Sequence, residues 1–260
     1  MLDNLNTMLS DQLNGSGLLI EAERHIIKSD EAKLIRPKFL FACGKLLNVP
    51  ENKLTKLACA VELIHSASLL HDDIVDQAKT RRLLQSVNSK FGDSIAVLAG
   101  DQLLARALLI ISDIENPQKS IKATAKALLV MSDAVSLEIY NKDQELINLE
   151  QLLSIIDGKT GELFSLCGKL VGFAADNDTV AERLGNIGIL LGRIFQMKDD
   201  IKDINEDKYS GIKTLPIEFG TKITEKEIDK SYYNAHKLIK SFSNYENFSE
   251  FSRTIDDLFM

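Results

Sequence analysis

Two stretches of this chain carry the helical period so completely that both must be interior helices, and both run into aspartates. Leu54 to Gln77 is nearly apolar all round between Leu57 and Leu70, and Thr179 to Ile204 is apolar over much of its length. A helix apolar on every side offers no face to water, so other helices have to wrap it. The first ends in Asp72-Asp73-Ile74-Val75-Asp76 and the second in Asp199-Asp200-Ile201-Lys202-Asp203. Carboxylates set among aliphatic side chains are costly unless cations neutralise them. In a D-D-x-x-D run on a helix the first and last acids lie one turn apart on one face, with the second to one side. That is a claw for a hard, oxygen-seeking divalent ion. Mg²⁺ takes one or two carboxylates and keeps positions for phosphate oxygens, so twin claws indicate a site that grips a polyanion through several metals.

Further helical periods fill most of the chain. They cover Leu18 to Lys28, Lys33 to Leu47 with Pro37 in its first turn, Asp93 to Ile111, Ser120 to Tyr140 and Leu149 to Ala175. The tail, Thr224 to Phe242 and Phe248 to Phe259, is more polar and reads as peripheral. Only 4 Pro, no Trp and little alternating hydrophobicity argue against sheet, and no Pro/Gly/Ser-rich linker divides the 260 residues. The expectation is one all-α domain over residues 1–260, a bundle whose two most buried helices each carry a claw. A net charge of -7 disfavours nucleic acid as a partner. The first residues are too polar for a signal peptide, and no run reads as a membrane span. Cys43, Cys59 and Cys167 have neither zinc-type spacing nor even pairing, which fits free thiols filling a core in a reducing cytoplasm.

A polyphosphate site also needs cations. Arg81 and Arg82 follow Asp76 closely, where a guanidinium fork grips phosphate bidentately, and Lys33 and Arg36 share a face one turn apart. Lys159-Thr160, inside the apolar run Leu152 to Leu170, adds a cation and a hydroxyl; a buried lysine with no obvious neighbouring acid needs an anion. Gln196 sets an amide one turn before the second claw.

The run Ile64-His65-Ser66-Ala67-Ser68-Leu69-Leu70-His71 into the first claw, then Arg81-Arg82, then Ala96-Val97-Leu98-Ala99-Gly100-Asp101, resembles the trans-isoprenyl diphosphate (polyprenyl) synthases. Lys159-Thr160, Phe195-Gln196 and the second claw match that family's later motifs in order, over roughly residues 30 to 220. The resemblance implies a helical bundle around a deep central cavity, usually in a homodimer. It implies that Asp72, Asp73, Asp76, Asp199, Asp200 and Asp203 hold three Mg²⁺ on an allylic diphosphate, geranyl or farnesyl, with Arg81 assisting. Lys33, Arg36, His65 and Arg82 match the positions that bind isopentenyl diphosphate, and Lys159, Thr160 and Gln196 those beside the allylic carbons and leaving group. His71 matches no catalytic position and reads as support for the claw, and Asp101 as a structural partner.

Departures from the family pattern accompany the matches. Glu31-Ala32-Lys33-Leu34-Ile35-Arg36-Pro37 lacks the usual glycines and first arginine, Leu83 stands where a glycine is usual, and Leu tolerates positive φ poorly. The segment from Asp203 to Lys213-Thr214-Leu215-Pro216 is short, so Lys213 matches only one of two usual loop lysines, with Lys202 and Lys208 as candidates for the other role. Closure over the diphosphates is the step this affects. The residues four and five before the first claw, Ser68 and Ala67, are small. Small side chains leave a tunnel open, which favours a product beyond fifteen carbons, of the octaprenyl type, over farnesyl or geranylgeranyl diphosphate. Met131 is a candidate for the floor further down. A terpene cyclase lacks a second D-D-x-x-D cluster, and a non-catalytic regulatory subunit typically loses one; this chain has both.

Overall fold

The computed structural model describes all residues except 30–33, 82–83, 115–116, 143, 145–146, 206–207, 209–210 and 260. Among the described residues it is all-α apart from one small hairpin. In chain order the helices are α1 (Leu2–Gln12), α2 (Leu18–Ser29), α3 (Ile35–Leu46), α4 (Glu51–Val75), α5 (Val87–Phe91), α6 (Asp93–Ser112), α7 (Pro117–Lys142) and α8 (Leu149–Ile156). A π-turn (Asp157–Gly161) links α8 to α9 (Glu162–Ala174), followed by α10 (Asp178–Lys202), α11 (Leu215–Phe219), α12 (Thr221–Lys240) and α13 (Phe248–Phe259). Strands β1 (Thr80–Arg81) and β2 (Leu84–Gln85) pair antiparallel, Thr80 opposite Gln85.

The two interior helices are those the apolar runs specify. Every residue of α4 from Leu57 to Ala67 is buried, and α4 packs against α3, α6 and α9. Helix α10 starts where the Asn177 side chain accepts from the Val180 amide at 3.0 Å, an N-cap that satisfies an otherwise orphaned donor. It packs back along α9 at very short range. A Cβ at Gly188 would sit 2.4 Å from the Phe164 carbonyl oxygen, and one at Gly192 would sit 2.6 Å from the Gly161 Cα. Glycine at these two positions lets α10 press against α9 and the π-turn, and that approach aligns the residues of the site described below.

Three findings differ from expectation. Helix α6 is 20 residues long and holds an 18-residue window of mean hydropathy 1.7, so by length and composition it does reach that of a membrane span. In the fold it lies against α4 and α2, burying Ala96, Ala99, Gly100, Leu103, Ala107, Ile110 and Ile111, while Asp101 and Arg106 interrupt its apolar surface. The tail is not peripheral. Phe251, Ile255 and Phe259 of α13 are buried, and the Phe259 ring meets Phe164 at 5.6 Å and Phe39 at 6.5 Å between centroids. The Lys198 ammonium also donates to the Phe259 carbonyl at 2.7 Å, fixing the end of α13 to α10. Finally, a helix beyond the expected set, α1, buries Leu5 and Leu9 and has α4 as its neighbour, with Leu13 buried just past its end.

Candidate active site

Three connected cavities lie among α3, α4, α7, α9 and α10. The largest, about 560 Å³, has Arg36, His65, Asp72, Arg81, Lys159, Gln196 and Asp199 in its wall, with Leu69, Met131, Leu163 and Phe195 as apolar lining. The second, about 390 Å³, shares Ser68, Asp72, Met131 and Lys159 with the first and runs between α4, α6 and α7 past Ile64, Leu104, Leu128, Val135 and Ile139. The third, about 140 Å³, holds Asp76, Glu138, Lys142, Lys159, Thr160, Gln196, Asp200 and Lys213. A charged chamber thus opens into an apolar channel.

The first aspartate of each cluster, Asp72 and Asp199, faces the largest cavity. Burial pushes the Asp72 carboxyl above the usual carboxylate range; Asp76 and Glu138 add to the shift, while Lys159 and Arg81 oppose it. The second aspartates are bonded within the protein. Asp73, 1 % exposed, receives Arg81 Nε at 2.9 and 3.0 Å and an Arg81 terminal nitrogen at 2.6 Å. A helix turns about 100° per residue, so Asp73 points away from Asp72 and the hairpin folds its arginine under the claw. Ala78 N, 2.8 Å from the Asp73 carbonyl, and Asn88, 3.2 Å from it, pin that return. Asp200 is likewise buried and accepts from Gln196 Nε2 at 2.8 Å. The third aspartates are more open: Asp76 lies 3.4 Å from Lys142, and Asp203 is exposed at the end of α10, outside the three cavities.

On the π-turn, Thr160 donates to Gln196 Oε1 at 2.8 Å, which joins Asp200 to the α9 side through one amide. Asp157 ties the turn to α10 through Arg193, with Nε to Oδ1 at 2.7 Å. The turn places Lys159 against all three cavities. Contrary to the expectation that Lys159 lacks an acid, Glu138 of α7 holds its ammonium at 2.6 Å. Burial alone would lower the lysine's pKa, but Glu138 and Asp72 outweigh it and hold the pKa above its ordinary value. Glu138 and Lys142 were missed because their partners stand on another helix, at no fixed sequence distance.

At the other end Arg36 donates to His65 Nε2 at 3.1 Å and lies over the Phe164 ring at 5.0 Å. Lys33, Arg82 and Leu83 lie outside the described residues. Lys213 reaches the smallest cavity and donates to the Gln144 carbonyl; Lys202 pairs with Asp199 at 3.2 Å, and Lys208 is exposed. Of the two small residues before the claw, Ser68 lines both larger cavities while Ala67 is fully buried and lines neither. Ile64, Ser68, His71 and Val75 form the face of α4 that meets the channel, as their spacing requires. Met131 borders both cavities, and His71 stands 3.8 Å from Asp101. The three cysteines are free and buried, and burial pushes the Cys59 thiol up to about 12.

The donor set fits Mg²⁺. Its groups are hard carboxylate oxygens, and among the described residues no three acid, histidine or cysteine side chains already converge as a closed metal cage. An ion here would take one or two carboxylates and complete its shell with phosphate and water, as Mg²⁺ does.

The site is thus a chamber lined by acids and bases above an apolar channel, framed by a helical bundle. The chain belongs to the polyprenyl synthetase family, whose model matches residues 18–228. It is 34% identical over 198 residues to nonaprenyl diphosphate synthase of Mycobacterium tuberculosis, covering 71% of this chain and 58% of that protein. It is 30% identical over 204 residues to octaprenyl diphosphate synthase of Escherichia coli, covering 78% and 63%. The chain therefore spans less than two thirds of the length of these relatives. Its fold matches the crystal structure of geranyltranstransferase from Thermotoga maritima with a TM-score of 0.85 at 28% identity, covering 98% of this chain and 94% of that one.

Proposed function

We propose that the chain is a trans-prenyltransferase that joins isopentenyl diphosphate to an allylic diphosphate, geranyl or farnesyl, and so elongates a polyprenyl diphosphate. The observation that carries this reading is the shared wall on which Asp72 and Asp199 stand together with Arg36, His65, Arg81 and Lys159, directly above an apolar channel. Asp72, Asp76, Asp199 and Asp203 would hold Mg²⁺, three ions in this reading, whose charge stabilises a departing diphosphate.

The chain's own residues do the rest. Asp73 fixes the Arg81 fork so that it stands preorganised at the allylic diphosphate. Arg36 and His65, with Lys33 and Arg82, bind the second diphosphate and hold its alkene toward the allylic carbon. The allylic C–O bond breaks with its electron pair leaving on diphosphate, and the alkene attacks the cation to form a C–C bond. Loss of a proton from the adjacent carbon, taken up by the released diphosphate, restores an allylic double bond. Thr160 gives its hydroxyl proton to Gln196 Oε1, which leaves the lone pairs of the Thr160 oxygen to face the cation.

Ser68, Leu128 and Met131 border the channel, whose apolar wall suits a chain beyond fifteen carbons; the relatives' names run from geranyltranstransferase to nonaprenyl diphosphate synthase. We assign the exposed Leu98 and Leu109 of α6 and Leu129 and Val130 of α7 to the contact with a second copy, and the buried free thiols to a reducing cytoplasm. The decisive experiment is turnover by the purified chain alone with Mg²⁺, labelled isopentenyl diphosphate and farnesyl diphosphate, with products separated by mass. Products beyond fifteen carbons support the reading. No turnover alone, with activity restored by a partner, would replace it with a regulatory subunit.

A further inference from the structure

Glu138 stands on α7, outside both aspartate clusters, yet its carboxylate is the 2.6 Å partner of Lys159. The pair is half-buried, with side chains 32% and 21% exposed, so solvent screens it less than a surface pair. Both residues line the smallest cavity together with Asp76, Lys142, Asp200 and Lys213. Lys159 alone of these also reaches the two larger cavities, so it is the cation positioned between the acid store and the chamber assigned to the allylic diphosphate.

We propose that Glu138 is a positioning residue that competes with the allylic diphosphate for Lys159. This rests on the elongation reading and adds to it. When a diphosphate enters, its oxygens and the Glu138 carboxylate are like charges contending for one ammonium, and part of the binding free energy goes into drawing Lys159 away. When inorganic pyrophosphate is the leaving product, Glu138 takes the ammonium back and speeds release. Glu138 thus trades ground-state affinity for turnover.

The test is Glu138→Gln, which keeps the side chain's shape and removes its charge. Calorimetric binding of inorganic pyrophosphate, with divalent ions chelated and again with Mg²⁺, should become roughly tenfold tighter. In steady state the variant should show a lower KM for the allylic diphosphate, a lower kcat and stronger inhibition by pyrophosphate, with the KM for isopentenyl diphosphate unchanged. In a Lys159→Met background the gain from Glu138→Gln should vanish. Unchanged or weaker pyrophosphate binding, or a gain that survives without Lys159, overturns the proposal. A wild-type chain that binds no pyrophosphate under either condition overturns the elongation reading itself, and this inference with it.

Discussion

The two aspartate clusters have the same spacing, and the fold uses it in the same way twice with different partners. In each, the first acid faces the large cavity and the second is buried and held by the protein: Asp73 by the Arg81 guanidinium, Asp200 by the neutral Gln196 amide. The difference lies in what each holder is connected to. Arg81 arrives on a hairpin directly after α4, so the first cluster is braced by its own sequence neighbourhood. Gln196 stands on α10 itself and links through Thr160 to the π-turn, so the second cluster is braced across helices. Beyond the brace they diverge further, since Asp76 still lines the smallest cavity and Asp203 lines none of the three. In each D-D-x-x-D run, then, the first acid lines the cavity and the second is bonded into the protein.

The largest effect should come from the ligand-facing acids. Asp72→Asn and Asp199→Asn are each expected to lower kcat about a thousandfold or more while leaving a folded protein, as read by turnover and far-ultraviolet circular dichroism. Equal losses would make the two clusters partners; a mild loss at Asp199 alone would break the symmetry. Next, Arg81→Met strands a buried carboxylate and should destabilise the fold by roughly 3–5 kcal/mol, whereas Gln196→Leu, which removes a neutral partner, should cost about 1–3 kcal/mol in denaturant unfolding. The reverse order would mean that the hairpin brace is weaker than the helix one.

Ser68→Phe narrows the channel and should shorten the products seen by mass analysis, while an unchanged distribution would remove Ser68 from the wall. The smallest effect concerns Glu23, a fully buried acid that belongs to no cluster and lies 3.6 Å from Arg106 without a hydrogen bond. Burial raises its pKa despite the arginine. The folded state then binds the proton more tightly than the unfolded one, so stability falls as pH rises past the ordinary glutamate value of 4.5. Glu23→Gln should flatten that fall and raise the melting temperature at neutral pH by about 2–4 °C, measured across a pH series.

Much of this was legible from local pattern. Helices α4 and α10 declared themselves because hydrophobicity on all sides admits only burial, and the sideways placement of Asp73 follows from helical geometry. What escaped was set across the bundle. Phe251, Ile255 and Phe259 form an apolar stripe on a polar-looking segment, and only its seat beside Phe39 and Phe164 shows that it is core. The π-turn arises where α9 meets α10 at glycine contact distance, a relation absent from either segment alone. Lys159 appeared to lack an acid because Glu138 is a neighbour in space, not along the chain.

The central claim is that both clusters serve one diphosphate. Binding of Mn²⁺, followed by electron paramagnetic resonance with and without inorganic pyrophosphate, tests it most directly on the wild type, Asp72→Asn, Asp199→Asn and the double variant. Tight Mn²⁺ binding that requires pyrophosphate, and that either single substitution removes as completely as both together, is the predicted result. Mn²⁺ that binds the two clusters independently, with losses that simply add, would contradict it.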